Sequence, residues 1–102
     1  MLTVSERGVS KMTIENKLKA LKIDLQITST GYDERLIQYL NTAEKEIKRE
    51  GYTLTDSIDD ANLQISYAAW LWRKRDTGDG MPRMIRWQLN NRLFDLIDYA
   101  SE

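Results

Sequence analysis

The stretch Ser57-Ile58-Asp59-Asp60-Ala61-Asn62-Leu63-Gln64-Ile65-Ser66-Tyr67-Ala68-Ala69-Trp70-Leu71-Trp72-Arg73-Lys74-Arg75 decides the fold. At about 100° per residue, Ile58, Ala61, Ile65, Ala68 and Trp72 share one stripe of a helix that suits a small core. Leu63, Tyr67 and Trp70 share a second stripe nearly opposite, and Leu71 widens it. A helix that is apolar on two sides has to be covered on two sides. It is either the central helix of a small helical domain or a helix that offers one side to another subunit. Ser57 caps it, with Asp60 three positions on as a short variant of the capping box and Asp59 at the positive helix end. The helix should run to about Arg75.

The flanking sequence is helical as well. Gly78 and Gly80 break the chain, and Pro82 stands where a first-turn proline is tolerated. A fourth helix is expected from Pro82 to Ala100, with Ile85, Leu89, Leu93, Leu96 and Ala100 on its core stripe. Upstream, Leu36, Leu40, Ala43 and Ile47 form the apolar stripe of a helix from Tyr32 to Glu50, and Gly51 is its expected stop. Thr13 caps a short first helix, Ile14 to Lys22, that the polar run TSTG at 28–31 separates from the second. Residues 1–12 show no core-sized apolar cluster and read as a flexible N-terminal arm. The fold class expected is all-α, a small bundle of about four helices, one short and three longer. Residues 13–102 make one domain, with a basic, glycine-containing loop between the last two helices.

Composition narrows the chemistry. The chain has 102 residues, 41% apolar and 30% charged, with five glycines and one proline, which suits a globular domain with one modest core. A formal net charge of -1 provides no global attraction to nucleic acid or to an anionic membrane. There is no cysteine and no histidine. Disulfides, thiolates, the usual zinc ligands and the commonest general base are therefore missing together. No catalytic, metal or cofactor site is expected, and the protein is not expected to be an enzyme. Asp76-Thr77-Gly78 matches the short core of aspartic proteases, but that chemistry needs the aspartate on a β-loop beside a second carboxylate sharing a proton, and here it follows a basic helix end. The same loop places Gly78, Gly80 and Trp87 where a calcium loop wants oxygen ligands. Asp95 and Asp98 read as an exposed acidic face. No apolar run suits a membrane span or a signal peptide, so the expected location is the cytoplasm.

Trp87 lies about 160 to 200° from Ile85 and Leu89 on the fourth helix and cannot share their core. Tryptophan, tyrosine and arginine dominate interface energetics, and Trp70, Tyr67, Trp87, Arg83 and Arg86 gather around one loop. Residues 73–92 carry six basic and two acidic side chains, a local charge of +4. The helix dipole accounts for part of that charge. The interface candidates are Leu63, Tyr67, Trp70, Arg73, Lys74, Arg75, Asp76, Met81, Arg83, Arg86 and Trp87. A DNA-binding regulator is the alternative from another class, with Arg83, Arg86, Asn90 and Asn91 of the fourth helix as base readers. Its turn, Asp76 to Met81, is longer than the three or four residues usual in a helix-turn-helix. A free helical assembly chaperone is a third possibility.

The run Trp70-Leu71-Trp72-Arg73-Lys74-Arg75-Asp76-Thr77-Gly78-Asp79-Gly80-Met81-Pro82-Arg83-Met84, followed by Leu89-Asn90-Asn91-Arg92-Leu93, resembles the head-tail connector proteins of tailed bacteriophages, also called DNA-packaging or head-completion adaptors. The likeness covers most of the chain from Met12 onward, the earlier helices in pattern only. It implies a structural virion protein, present in the host cytoplasm during assembly and then at the head-tail interface. Implied partners are the portal protein, further copies in a ring that is usually twelve-fold, and a downstream tail-completion or stopper protein. DNA would pass through the channel without sequence-specific binding. Arg73, Lys74, Arg75 and Arg83 would then meet either carboxylates on a partner or DNA phosphates, and a channel that lets DNA slide favours the protein partner. The arm before Met12 departs from the family pattern.

Overall fold

The computed structural model describes residues 13–78 and 80–101, with side chains except at 76 and 97–101. The arm expected over residues 1–12 lies outside this set. Among the described residues there are four helices and no strands: α1 (Ile14–Leu25), α2 (Asp33–Glu50), α3 (Ile58–Thr77) and α4 (Arg83–Ser101). The protein is a small all-α bundle, as the periodicity predicts. No helix among the described residues is long and apolar enough to cross a membrane.

Local signals fix most helix ends. The Thr13 hydroxyl accepts from the Asn16 amide at 3.1 Å, which satisfies one of the first-turn donors that no helical carbonyl reaches. α1 continues three residues past the expected Lys22. It stops at Gln26, which adopts a left-handed conformation (φ 59°) although it is not glycine. The extension carries Leu25, which with Ile27 packs against the core. α2 ends at Gly51 (φ 118°), where the Tyr52 amide reaches the Ile47 carbonyl at 3.3 Å. A Cβ on Gly51 would stand 3.3 Å from Leu93 Cδ2, so the site demands glycine for both backbone and space. α4 begins one residue later than expected, with the Pro82 carbonyl accepting from the Arg86 amide at 3.1 Å.

The N-terminus of α3 departs from the expected capping box. The Ser57 hydroxyl does accept from the Asp60 amide at 3.1 Å. The Asp60 carboxylate, however, does not turn back to Ser57. It accepts from Tyr52 Oη at 2.7 Å, from the Thr55 amide at 2.8 Å and hydroxyl at 2.7 Å, and from Arg92 Nε at 2.9 Å. The Ser57 amide is left to Thr55 Oγ1 at 3.3 Å. Asp60 is buried, and burial alone would raise its pKa; the Arg92, Thr55 and Tyr52 hydrogen bonds outweigh that and hold it below the usual carboxylate value.

α3 packs against α1, α2 and α4 and is the central helix. Leu63 (0% exposed) and Tyr67 (3%) are covered by the chain's own helices, together with Ala61, Ile65, Ala68 and Leu71 of both stripes. Their assignment as subunit-interface residues is corrected: Leu63, Tyr67 and Leu71 of the second stripe are core, and Trp70 is half-buried at its end. The α2 stripe of Leu36, Leu40, Ala43 and Ile47 is fully buried against it. Gln64, also buried, donates to the Leu40 carbonyl at 2.8 Å and accepts from Lys17 Nζ at 2.7 Å, tying α1 and α2 to α3. Two expected core residues are not core. Ile58, the first residue of α3, is 51% exposed, and Leu96, four positions past the point where Arg92 of α4 meets the start of α3, is 45% exposed; the side chain of Ala100, also expected in the core, lies outside the described set.

Candidate interaction surface

The candidate residues divide into five environments, apart from Asp76. Leu63 and Tyr67 belong to the core, and Tyr67 donates its phenolic proton to Glu46 Oε1 at 2.9 Å. Burial first, and the Glu46 carboxylate second, push the Tyr67 pKa well above the ordinary phenol value, so it serves as a neutral donor. Met81 is half-buried and packs against the same core.

Arg86 braces the fold. Its guanidinium donates to both Glu50 oxygens, at 3.2 Å each, and to Asn90 Oδ1 at 3.4 Å. The contact lowers the Glu50 pKa, chiefly through the hydrogen bond from Arg86. Arg86 therefore joins α4 to the end of α2, while its side chain stays 40% open at the surface. Two of the four side chains considered for base reading, Arg86 and Asn90, are joined to each other in this way.

Trp70, Arg73 and Lys74 stand together at the C-terminal end of α3. The Trp70 ring meets Tyr67 edge-on at 5.3 Å between centroids, and Lys74 Nζ lies 4.5 Å above it. Arg73 reaches the Asp24 carbonyl at 3.4 Å. They line an open groove of about 400 Å³ with Asp24, Met84 and Ile85, between the end of α1, the end of α3 and the start of α4. Arg75 is on another face. Its guanidinium lies 3.6 Å from the centre of the Trp72 ring, whose edges are met by Tyr32 and Tyr39 at 5.3 and 6.1 Å. Asp76 sits in the last turn of α3, and its side chain lies outside the described set.

Arg83 and Trp87 are exposed on the outer side of α4 and line a shallow apolar depression with Met84. Trp87 is 60% exposed, as its angular position predicts. Sequence reasoning missed its companions. Met84 and Phe94, each 62% exposed, fall on the same stripe, three residues before Trp87 and seven after it. That spacing was legible. Three large apolar side chains, each about six-tenths open, face solvent in one row opposite the buried Ile85 and Leu89.

No family model, curated protein or solved structure matches this chain. The fold and surface define the class alone: a small all-α bundle that presents an apolar stripe on α4 and a basic groove beside it.

Proposed function

We propose that the protein is a structural assembly subunit of the head-tail connector type. It docks on a portal ring, associates with further copies into a ring, twelve-fold by analogy with the family it resembles, that extends the DNA channel, and offers a docking surface to a downstream tail-completion or stopper protein. The observation that carries this reading is the exposed row Met84, Trp87 and Phe94 on α4. Aromatic and methionine side chains of this kind form the centres of protein interfaces. Arg83 beside the row, and Arg73 and Lys74 in the groove, add cations that orient a carboxylate-bearing partner and speed its encounter. The run of residues 70–93 that resembles the connector family contributes most of this surface. In this reading the protein passes from the host cytoplasm to the virion's head-tail interface, and DNA crosses the channel without base recognition.

The experiment is co-sedimentation of the protein and its Trp87→Ala and Phe94→Ala variants with purified portal rings. Wild type is expected to bind, and each variant to bind at least about tenfold more weakly, the loss of one interface anchor. Equal binding by all three would remove the α4 row from the contact.

A further inference from the structure

We propose that the hollow between the start of α2 and the end of α3 binds a nucleotide unit, a planar base joined to a phosphate, either free or within a single strand. The proposal is independent of the assembly reading above and uses a face of the molecule that the α4 row and the basic groove leave unassigned.

The first observation is a platform of rings. Gly31, Tyr32, Arg35, Tyr39, Trp72 and Arg75 line an open hollow of about 480 Å³, a size that suits one small ligand. Arg35 and Tyr39 stand four apart near the start of α2, and so share one face of it. Tyr32 and Tyr39 meet Trp72 at 5.3 and 6.1 Å between centroids, with interplanar angles of 78° and 90°. The Arg75 guanidinium lies on the Trp72 ring at 3.6 Å and donates to the Trp72 carbonyl. Trp72 and Arg75 are therefore a two-layer stack whose outer layer, a planar cation on an exposed residue, is a surface on which a nucleobase lies. Tyr32, 51% exposed, adds an open ring beside it. Tyr39 and Trp72 also pack against the core, which fixes the platform before a ligand arrives.

The second observation is charge. Arg35, exposed on the same wall, supplies a second guanidinium. Among the described residues lining the hollow there is no carboxylate. The other polar hollows differ, since Asp24 lines the basic groove and Glu46 and Glu50 line the hollow beside Tyr67. Asp33, in the first turn of α2, is paired with Lys22 at 2.8 Å. A guanidinium presents several N–H donors in a fork that matches phosphate oxygens, so the bond from Arg75 to the Trp72 carbonyl is compatible with one to a phosphate.

The two observations together select the ligand. A carboxylate on a protein segment would satisfy the cations and leave the rings unused. Tyrosine, tryptophan and arginine are also anchors of protein interfaces, but such anchors work inside a larger apolar patch. Among the described residues, no aliphatic or methionine side chain lines this hollow. A nucleotide uses both halves, its base on the rings and its phosphate on the guanidiniums. Stacking of this kind needs a base that is out of its pair, so duplex DNA, whose base faces are covered by their neighbours, is not a ligand.

Equilibrium dialysis of the full chain at about 0.1 M salt tests this. The probes are thymidine 5′-monophosphate, inorganic phosphate, an oligothymidylate of about eight nucleotides, the same strand paired with its complement, and an acidic peptide of glutamate and phenylalanine. Wild type should hold the mononucleotide and the single strand at least about fivefold more tightly than inorganic phosphate, the gain from stacking. Tyr32→Ala should reduce that gain, Arg35→Ala should weaken mononucleotide and inorganic phosphate alike, and Arg75→Ala should do both. Gly31→Leu adds a side chain where a Cβ meets nothing within 4 Å, and should weaken binding by obstruction while every existing contact stays. Arg49→Ala, at an exposed position on another face, should change nothing. Tighter binding of the strand than of the mononucleotide, lost in the same variants, makes unpaired nucleic acid the ligand, and equal binding makes it the free nucleotide. The proposal is overturned if the duplex is held as tightly as the single strand, or if inorganic phosphate or the acidic peptide is held as tightly as the mononucleotide. Variants at Tyr32, Arg35 and Arg75 that bind like wild type, or a wild type that binds no nucleotide up to roughly 1 mM, would overturn it as well.

Discussion

Arg92 and Asp60, thirty-two positions apart, meet at 2.9 Å and lock the start of α3 to the second half of α4. Arg92 also donates to the Asp59 carbonyl and to the Gln88 carbonyl, each at 3.2 Å, and its guanidinium lies 5.8 Å from the Tyr52 ring centre. Asp60 holds Tyr52 and Thr55 from the preceding loop. Loop, α3 and α4 are thus fastened at one buried carboxylate, near the point where α4 leaves the core.

Removing one partner of this pair leaves the other buried without compensation. Arg92→Ala is expected to cost about 3–5 kcal/mol, read as a lowered midpoint in urea unfolding. Arg86→Ala breaks the more exposed pair with Glu50 and should cost no more than about 1 kcal/mol. Equal effects of the two substitutions would contradict the assignment of Asp60 as the fastening point.

Acid should act through the same carboxylate. Because the folded-state pKa of Asp60 lies below its unfolded value, its contribution is complete above that unfolded value of about 3.9 and is lost as pH falls through the lowered folded one. Chemical denaturation from about pH 5 down to about pH 2 should show falling stability, and Asp60→Asn should flatten that fall. A variant that loses stability toward acid as steeply as wild type would place the titration elsewhere.

Leu63 and Trp87 provide a contrast between core and surface. Leu63→Ala should destabilise the fold by about 2–5 kcal/mol through an internal cavity. Trp87→Ala should stay within about 0.5 kcal/mol while weakening association with a partner. Thermal melts of both variants distinguish the roles, and a large loss of melting temperature for Trp87→Ala would return that side chain to the core.

Two helix-ending glycines should respond unequally to alanine. Gly51 combines positive φ with a neighbour at 3.3 Å, whereas a Cβ on Gly78 (φ 71°) would meet nothing within 4 Å. Gly78→Ala is expected to cost about 1 kcal/mol of backbone strain, and Gly51→Ala more than that. Denaturant midpoints check the order.

Much of this fold was legible because helical periodicity is local. The α2 stripe, the Gly51 stop, the Thr13 and Ser57 caps and the outward position of Trp87 follow from spacing and residue type. Which neighbour covers a face is not local. Leu63 and Tyr67 sat on an apolar stripe that a second subunit or the chain's own helices would satisfy equally, and only the packing of α3 among three helices decides between them. The Asp60–Arg92 contact spans 32 positions and leaves no periodic trace. The end of α1 escaped for another reason: Gln26 takes the left-handed conformation without the glycine that signals it. On the candidate surface, Trp87 and the basic helix end were readable. Leu96 misled, since an inward angle buries a side chain only where the facing helix continues.

The measurement closest to the central claim is native mass by light scattering on a sizing column, with and without purified portal protein. The account predicts co-elution of the chain with portal, or a ring-sized species on its own, and loss of the portal complex in Trp87→Ala. A strict monomer at micromolar concentration that ignores portal would contradict it.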